Sequence, residues 1–221
     1  MYIADAWNNR ICKVSSTGVI TTIAGTGVAG FSGDGGHASA AQLSKPTDVA
    51  IDAAGNVYIS DQQNDCVRKI NAAGIISTYA GMGGMAGYSG DGGQATVASI
   101  NYCEYIQLYD GNLYLGDKLN NVIRQVNTSG IITTFAGNGI GGYSDDGGPA
   151  TSAEFYYPEA ITFDICGNMY ISDWYNNRIR KIPSLTTSSE QGCNSSQGIE
   201  DFTNGNNIAI YPNPSAGIIK I

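Results

Sequence analysis

Three acidic side chains stand where together they could bind a cation. Asp48 and Glu104 are 56 residues apart, and Glu159 follows Glu104 after 55 residues, each near the start of a short apolar segment. Carboxylate oxygens are the ligands that Ca²⁺ prefers. The function of a protein built on a common fold lies in particular sites, so residues of this kind are candidates for one. The sequence leaves two interpretations open: a ligand or divalent cation bound by these acids, or solvated acids at the mouth of a channel.

A more regular set of carboxylates recurs every 56 residues, at Asp5, Asp61, Asp117 and Asp173. One interpretation is a ring of ligands, one from each copy. The other is a structural turn, in which each aspartate ends a strand and accepts backbone N–H bonds in the loop that follows. The regularity favours the turn, because a catalytic site seldom needs every copy alike.

Gly-Asp-Gly-Gly loops repeat with the same period. They cover residues 33–36 and 90–93, and a variant with two aspartates covers 145–148. Calcium is one interpretation, but one or two carboxylates fall far short of the six to eight oxygens that the ion needs. A glycine-rich turn is favoured, so no cofactor is required and Ca²⁺ stays an alternative.

Residues for nucleophilic or metal chemistry are scarce. His37 is the only histidine, and the five cysteines contain no Cys-x-x-Cys pair. Neither a zinc site nor a disulfide framework is indicated, and we predict no catalytic residue. A recurring arginine at positions 68, 124 and 180 is expected to pair with a carboxylate or carbonyl group nearby.

The elements that position these residues are short β-strands. In the second copy, apolar runs at 49–51, 57–60, 66–70 and 75–80 are separated by turn residues such as Gly55 and Gly74. Four such runs predict an antiparallel meander, and a four-stranded sheet repeated at a fixed period is the blade of a β-propeller. We therefore predict an all-β fold with two complete and two partial blades within residues 1–183.

Residues 45–61 and 173–182 carry a resemblance to the NHL repeat family, and the resemblance recurs in every copy over roughly residues 1–182. It implies a propeller, commonly six-bladed, that serves mostly as a binding or scaffold surface. A minority of similar propellers are lyases or lactone hydrolases. The family's usual glycine at the start of the innermost strand is replaced here by Asp48, Glu104 and Ala160.

The C-terminal residues 208–221, which contain Tyr211-Pro212-Asn213-Pro214, resemble the opening strand of a type IX secretion sorting domain of Bacteroidetes-type bacteria. That resemblance implies export to the cell surface or medium, with the secretion machinery as a partner. Residues 184–207 are rich in Ser, Thr, Gly and Asn and predict a flexible linker. Because both the propeller and the sorting domain would be incomplete, we expect the chain to be a fragment.

The net charge of −8 and the pI near 4.4 argue against nucleic acid as a partner, and no apolar run reaches membrane-spanning length. The sequence thus predicts a secreted or cell-surface propeller that binds protein or glycan without catalysis. Two alternatives remain: a lyase or lactone hydrolase with a divalent cation in its channel, and a structural spacer of a large surface protein.

Overall fold

Fourteen strands form four antiparallel sheets in a computed structural model that describes residues 1–144 and 146–184. The first sheet contains β1 (Tyr2–Asp5), β2 (Arg10–Val14) and β3 (Ile20–Ala24). The second contains β4 (Pro46–Ile51), β5 (Val57–Asp61), β6 (Cys66–Ile70) and β7 (Ile76–Ala80). The third contains β8 (Cys103–Tyr109), β9 (Asn112–Asp117), β10 (Val122–Val126) and β11 (Ile132–Ala136). The fourth contains β12 (Pro158–Phe163), β13 (Met169–Asp173) and β14 (Arg178–Ile182).

Consecutive strands pair with each other in every sheet, so each sheet is a meander and the four sheets are blades A to D in chain order. Two blades have four strands and two have three, which confirms the predicted partial β-propeller. No α-helix occurs in the part of the chain that the structure describes. The predicted linker, apart from Ser184, and the predicted sorting segment lie outside the described residues.

Three-residue 3₁₀ turns punctuate the blades. They are Ala6–Asn8, Ala38–Ala40, Gln62–Asn64, Ala95–Val97, Lys118–Asn120, Ala150–Ser152 and Trp174–Asn176. Four of them directly follow the second strand of the repeat unit, at the position predicted for a turn. Each of these four ends on a residue in the left-handed region: Asn9, Asp65, Asn121 and Asn177.

The hydrophobic core lies between neighbouring blades. One cluster joins Ile11 of blade A to Ile59 of blade B, a second joins Val67 of blade B to Leu115 of blade C, and a third joins Ile123 of blade C to Ile171 of blade D. Every residue of β5 is buried. Burial on both faces explains why β5 opens with three apolar residues in a row, Val57, Tyr58 and Ile59, instead of alternating apolar and polar residues.

Buried arginines connect each long loop between blades to the sheet behind it. The Arg68 guanidinium lies 2.5 Å from Asp34 of the Gly-Asp-Gly-Gly loop and 3.4 Å from Asp61 at the end of β5. It also donates to the Ser32 carbonyl at 3.0 Å and lies 4.7 Å from the centre of the Phe31 ring. This set of contacts is called the arginine clamp.

The clamp recurs in two further copies. Arg124 lies 2.7 Å from Asp91 and 3.4 Å from Asp117, and Arg180 lies 2.6 Å from Asp146. Cys12 takes the arginine position in the first copy. In each described Gly-Asp-Gly-Gly loop that precedes an arginine, the carboxylate is therefore engaged by a guanidinium of the chain itself. Asp145, in the variant loop, is outside the described residues.

The turn aspartates complete the clamps. The Asp61 carboxylate accepts the Ser44 backbone N–H at 2.7 Å and the Asn64 side-chain amide at 2.8 Å. The backbone donor thus lies before the first strand of the blade, while the following turn supplies a side chain. Burial raises the pKa of Asp61 to about 6 against these hydrogen bonds and the charge of Arg68. Asp5, in the copy without an arginine, bonds only the Asn8 amide among the described residues.

Candidate functional site

One end of the propeller collects the irregular residues of the repeat. It is the end at which β4, β8 and β12 begin and at which the 3₁₀ turns after β1, β5, β9 and β13 lie, since Pro46 pairs with Asp61 and Cys103 with Asp117. This end is called the strand-entry face. The family resemblance places the channel mouth here, beside the first residues of the inner strands.

Three bulky residues on this face have left-handed backbones: Lys45 (φ 50°), Tyr102 (φ 63°) and Tyr157 (φ 58°). Such a conformation costs about 1–3 kcal/mol for a residue other than glycine. Side chains from the turn of the preceding blade hold them, because Asn9 accepts the Lys45 N–H at 2.9 Å and Asp65 accepts the Tyr102 N–H at 2.8 Å. Strain that is held in place at one end of a fold marks that end as a candidate site.

The corresponding contact in the next copy runs from the Tyr157 N–H to the Asn121 side-chain oxygen at 3.1 Å. The three contacts therefore follow one rule: the turn of one blade fixes the residue that precedes the inner strand of the next. We call these contacts the inter-blade staples.

Lysines and aromatic rings alternate across the face. The Lys45 ammonium lies 5.1 Å from the Trp7 ring centre and 5.7 Å from that of Tyr102. The Lys118 ammonium lies 5.8 Å from the same Tyr102 ring and 4.3 Å from that of Trp174. These five residues form a continuous series, the lysine–aromatic ladder, which runs from blade A to blade D. Distances of this kind are typical of cation–π contacts.

The ladder continues into an aromatic cluster on blade D. Tyr175 lies 4.9 Å from Trp174, 5.0 Å from Tyr156 and 4.9 Å from Tyr157, measured between ring centres. Trp7 is 82% exposed, and Trp174 and Tyr175 are about half exposed. Large apolar side chains that are grouped and exposed mark an interaction surface.

Two of the three predicted acids meet on this face. The Glu104 and Glu159 carboxylates both accept hydrogen bonds from the Lys118 ammonium, at 2.6 Å for Glu104. The cation between them is therefore a side chain of the protein. Burial opposes the charge of Lys118, but the hydrogen bonds to both glutamates outweigh it and raise the pKa of the ammonium group.

Asp48 makes different contacts. Its carboxylate accepts the Val49 N–H at 2.8 Å and the Ile106 N–H of the adjacent inner strand at 2.9 Å. Burial raises the pKa of Asp48 in spite of these bonds. Among residues 1–144 and 146–184, no group of three or more His, Cys, Asp or Glu side chains is arranged to hold a metal ion. Cation binding by Asp48, Glu104 and Glu159 stays a prediction.

A buried side-chain amide belongs to one of the 3₁₀ turns of the strand-entry face. Gln62 occupies the position of Lys118 one copy earlier and is fully buried, yet neither atom of its side-chain amide has a hydrogen-bond partner within the described part of the chain. A buried amide is normally satisfied by protein or by ordered water.

The nucleophiles of the chain are poorly placed for chemistry. Cys12, Cys66 and Cys103 are buried free thiols, and Cys166 is disulfide-bonded. Burial raises the pKa of both Cys66 and Cys103, which suppresses the reactive thiolate. His37 is exposed in the loop that precedes blade B.

Two cavities lie away from the strand-entry face. One of about 420 Å³ is lined by Ile51 and Tyr58, at the opposite end of blades B and C. Another of about 660 Å³ lies between blades C and D beside Phe135 and Phe163. Tyr109 lines both cavities. Both volumes fall within the range of ligand pockets, but several walls of the second cavity belong to the core cluster of blades C and D.

Sequence reasoning missed the ladder, although a signal was present. The two positions after the turn aspartate hold Ala6-Trp7, Gln62-Gln63, Lys118-Leu119 and Trp174-Tyr175, which share no residue type. Positions that vary inside a strict repeat are not required to have one particular side chain for the blade to fold. Asp48, Glu104 and Glu159 vary within the repeat in the same way.

The chain is similar to known propellers. The family model of the teneurin NHL domain matches residues 26–89. Human teneurin-4 is 26% identical in an alignment that covers 86% of this chain and 8% of teneurin-4. The chloroplastic protein SUPPRESSOR OF QUENCHING 1 of Arabidopsis thaliana is 38% identical over 72 residues, 32% of this chain and 7% of that protein. The chain thus spans less than a tenth of the length of these relatives.

Solved structures show the same fold. A protein of unknown function from Bacteroides thetaiotaomicron superposes with a TM-score of 0.66 at 24% identity, over 82% of this chain and 44% of that protein. An auxiliary nutrient binding protein from Bacteroides ovatus superposes with a TM-score of 0.63 at 21% identity, over 83% of this chain and 45% of that protein. The fold and the staples define a partial β-propeller. The family match, taken with that fold, supports an NHL-repeat β-propeller.

Within the described residues, no helix is long and apolar enough to cross a membrane.

Proposed function

We propose that this protein is a non-catalytic binding module that holds a protein or glycan ligand on its strand-entry face. The observation that carries the proposal is the lysine–aromatic ladder with its exposed tryptophans, Trp7 and Trp174. Exposed indole and phenol rings gain free energy when a ligand covers them, and flat rings do so at a low cost in conformational entropy. A surface that served only as a spacer would not need them.

Binding accounts for the chemistry of the face better than catalysis does. The Glu104 and Glu159 carboxylates share hydrogen bonds with the Lys118 ammonium, and the thiols of Cys66 and Cys103 are buried. An acid–base or nucleophilic mechanism needs a group with a free proton site or lone pair at the substrate. The auxiliary nutrient binding protein of similar fold shows that the fold occurs among binding proteins.

The two tryptophans of the chain are Trp7 and Trp174, and both lie on the strand-entry face. Intrinsic tryptophan fluorescence is therefore a reporter of this face alone. We expect a ligand found by screening glycans and surface-protein fragments to shift the emission and to protect it from acrylamide. Trp174→Ala should weaken binding about tenfold or more.

A control variant at Tyr109 separates this proposal from a site in the cavities, because Tyr109 lines both of them. Tyr109→Ala should leave affinity within about twofold. Binding that is lost in Tyr109→Ala and retained in Trp174→Ala would place the ligand elsewhere. Circular dichroism of each variant shows whether the blades are intact.

We also propose that the module acts outside the cell, exported through its C-terminal segment. The support is the resemblance of residues 208–221 to a type IX sorting domain, which lies outside the described residues. In a host with that system, the gene with its complete C-terminus should deliver protein to the surface or medium, while a version truncated after Gly205 should accumulate in the periplasm. Equal secretion of both would remove the export proposal and leave the binding proposal intact.

A further inference from the structure

Lys45 and Lys118 share the Tyr102 ring but differ in charge balance. Lys118 forms ion pairs with two carboxylates, which more than balance its charge. Lys45, by contrast, has no carboxylate within 4 Å in the described residues, and its ammonium bonds only the Tyr102 hydroxyl, at 3.3 Å. In a chain of net charge −8, this is a positioned and uncompensated cation.

The backbone of Lys45 is fixed as well as strained. Its φ of 50° is held by the Asn9 side chain, and the residue is half-buried between the Trp7 and Tyr102 rings. The held backbone limits where the ammonium can reach, which lowers the entropic cost of binding an anion.

We propose that Trp7, Lys45 and Tyr102 form a subsite for an anionic sugar, a uronate or a sulfated residue of a glycan. This proposal rests on the proposed binding function and names its ligand class. The ammonium would donate to the carboxylate or sulfate, while the exposed Trp7 ring would cover the apolar face of the same sugar ring.

The arrangement favours a saccharide over an acidic peptide. The Lys45 ammonium nitrogen lies 5.1 Å from the centre of the Trp7 ring. One rigid sugar ring that carries an anion beside an apolar face can therefore engage both groups. A glutamate or aspartate side chain offers the anion without that face, and a second, separately ordered residue would have to cover Trp7. Each extra ordered side chain costs binding free energy.

The test compares tetragalacturonate with its fully methyl-esterified form by calorimetry on the full chain, with a sulfated galactan tetrasaccharide and tetraglutamate alongside. We expect the acid to bind roughly tenfold to a hundredfold tighter than the ester, with the difference shrinking as salt is raised. The sulfated sugar tests whether sulfate replaces carboxylate.

Lys45→Met should bring the acid down to the affinity of the ester, and Lys45→Arg should restore most of the preference. Lys69→Met is the matched control, because Lys69 also lies between two rings, Tyr58 and Tyr79, but at the opposite end of blade B. That variant should leave the preference unchanged.

Equal affinity for the acid and the ester would overturn the anionic subsite while leaving the binding function in place. Tetraglutamate that binds as tightly as tetragalacturonate would replace the sugar with an acidic peptide and overturn the inference in the same way. Failure of all four probes would overturn the inference alone, since the binding function is tested by the wider ligand screen. If Lys45→Met does not fold, the salt dependence of the acid preference in the natural chain decides.

Discussion

The arginine clamps and the strand-entry face occupy the same repeats and follow opposite rules. The clamps of Arg68, Arg124 and Arg180 use the same donors and acceptors in each copy. The strand-entry face places Lys45 and Tyr102 at one repeated position and gives them different partners. Repetition thus marks what every blade needs in order to stack, and under the proposed binding function the varied positions are those that contact the ligand.

The largest effect is expected from breaking a clamp. Arg124→Met leaves Asp117 fully buried without its guanidinium partner, and loss of one member of a buried pair costs about 3–5 kcal/mol. Urea unfolding at pH 7 measures the change. Arg178→Met is the control, since Arg178 is exposed and stacks on Tyr143, and it should cost less than about 1 kcal/mol. Similar losses in both variants would remove the distinction between clamp and surface.

A smaller effect is expected at Lys118. Lys118→Met leaves Glu104 and Glu159 facing each other, which should cost about 1–3 kcal/mol after allowance for their partial exposure. The freed carboxylates should then bind Ca²⁺ weakly, because two ligands meet only part of its coordination. Calorimetry with Ca²⁺ and Mn²⁺ on the natural chain and the variant tests both points. Micromolar binding by the natural chain, lost in Asp48→Ala, would instead support the channel-bound cation of the enzymatic alternative.

The smallest effect concerns pH. Burial raises the pKa of Asp61 to about 6 from 3.8, so the folded state binds the extra proton as the pH falls from 6 towards 4, and this carboxyl adds stability over that window. Asp61→Asn cannot take up the proton. As the pH is lowered from 7 to 4.5, the free energy of unfolding of the natural chain should therefore rise relative to that of the variant. Parallel pH profiles would show that Asp61 stays ionised beside Arg68.

Much of the fold follows from the sequence, because a fixed period forces every copy into the same elements. The predicted runs 57–60, 66–70 and 75–80 match β5, β6 and β7 to within one residue, and the turn after Asp61 lies where it was expected. The strand β4 begins at Pro46, three residues before the predicted run 49–51. The arginine column was predicted to find a carboxylate or carbonyl nearby, and Arg68 confirms it. Recurrence makes such pairs visible, since partners must keep the same spacing in each copy.

The candidate site was only partly visible in the sequence. Glu104 and Glu159 were grouped by their place near the inner strands. The side chain between them, Lys118, comes from a turn, and no motif in the sequence links that turn to the two acids. The ladder joins residues from separate turns and connections, with Trp7 and Trp174 at its two ends. Their proximity depends on how far side chains reach between blades, which periodicity does not encode.

The inter-blade staples have a consequence for how such a face changes during evolution. The side chains of Asn9 and Asp65 accept a hydrogen bond from the backbone N–H of the residue that precedes the next inner strand. The conformation at that residue therefore does not depend on which side chain it carries. Lysine and tyrosine already occupy the position in successive copies. Each blade junction therefore accepts different side chains at this position on an unchanged backbone. New ligand preferences can arise by exchanging one residue per junction while the architecture is conserved.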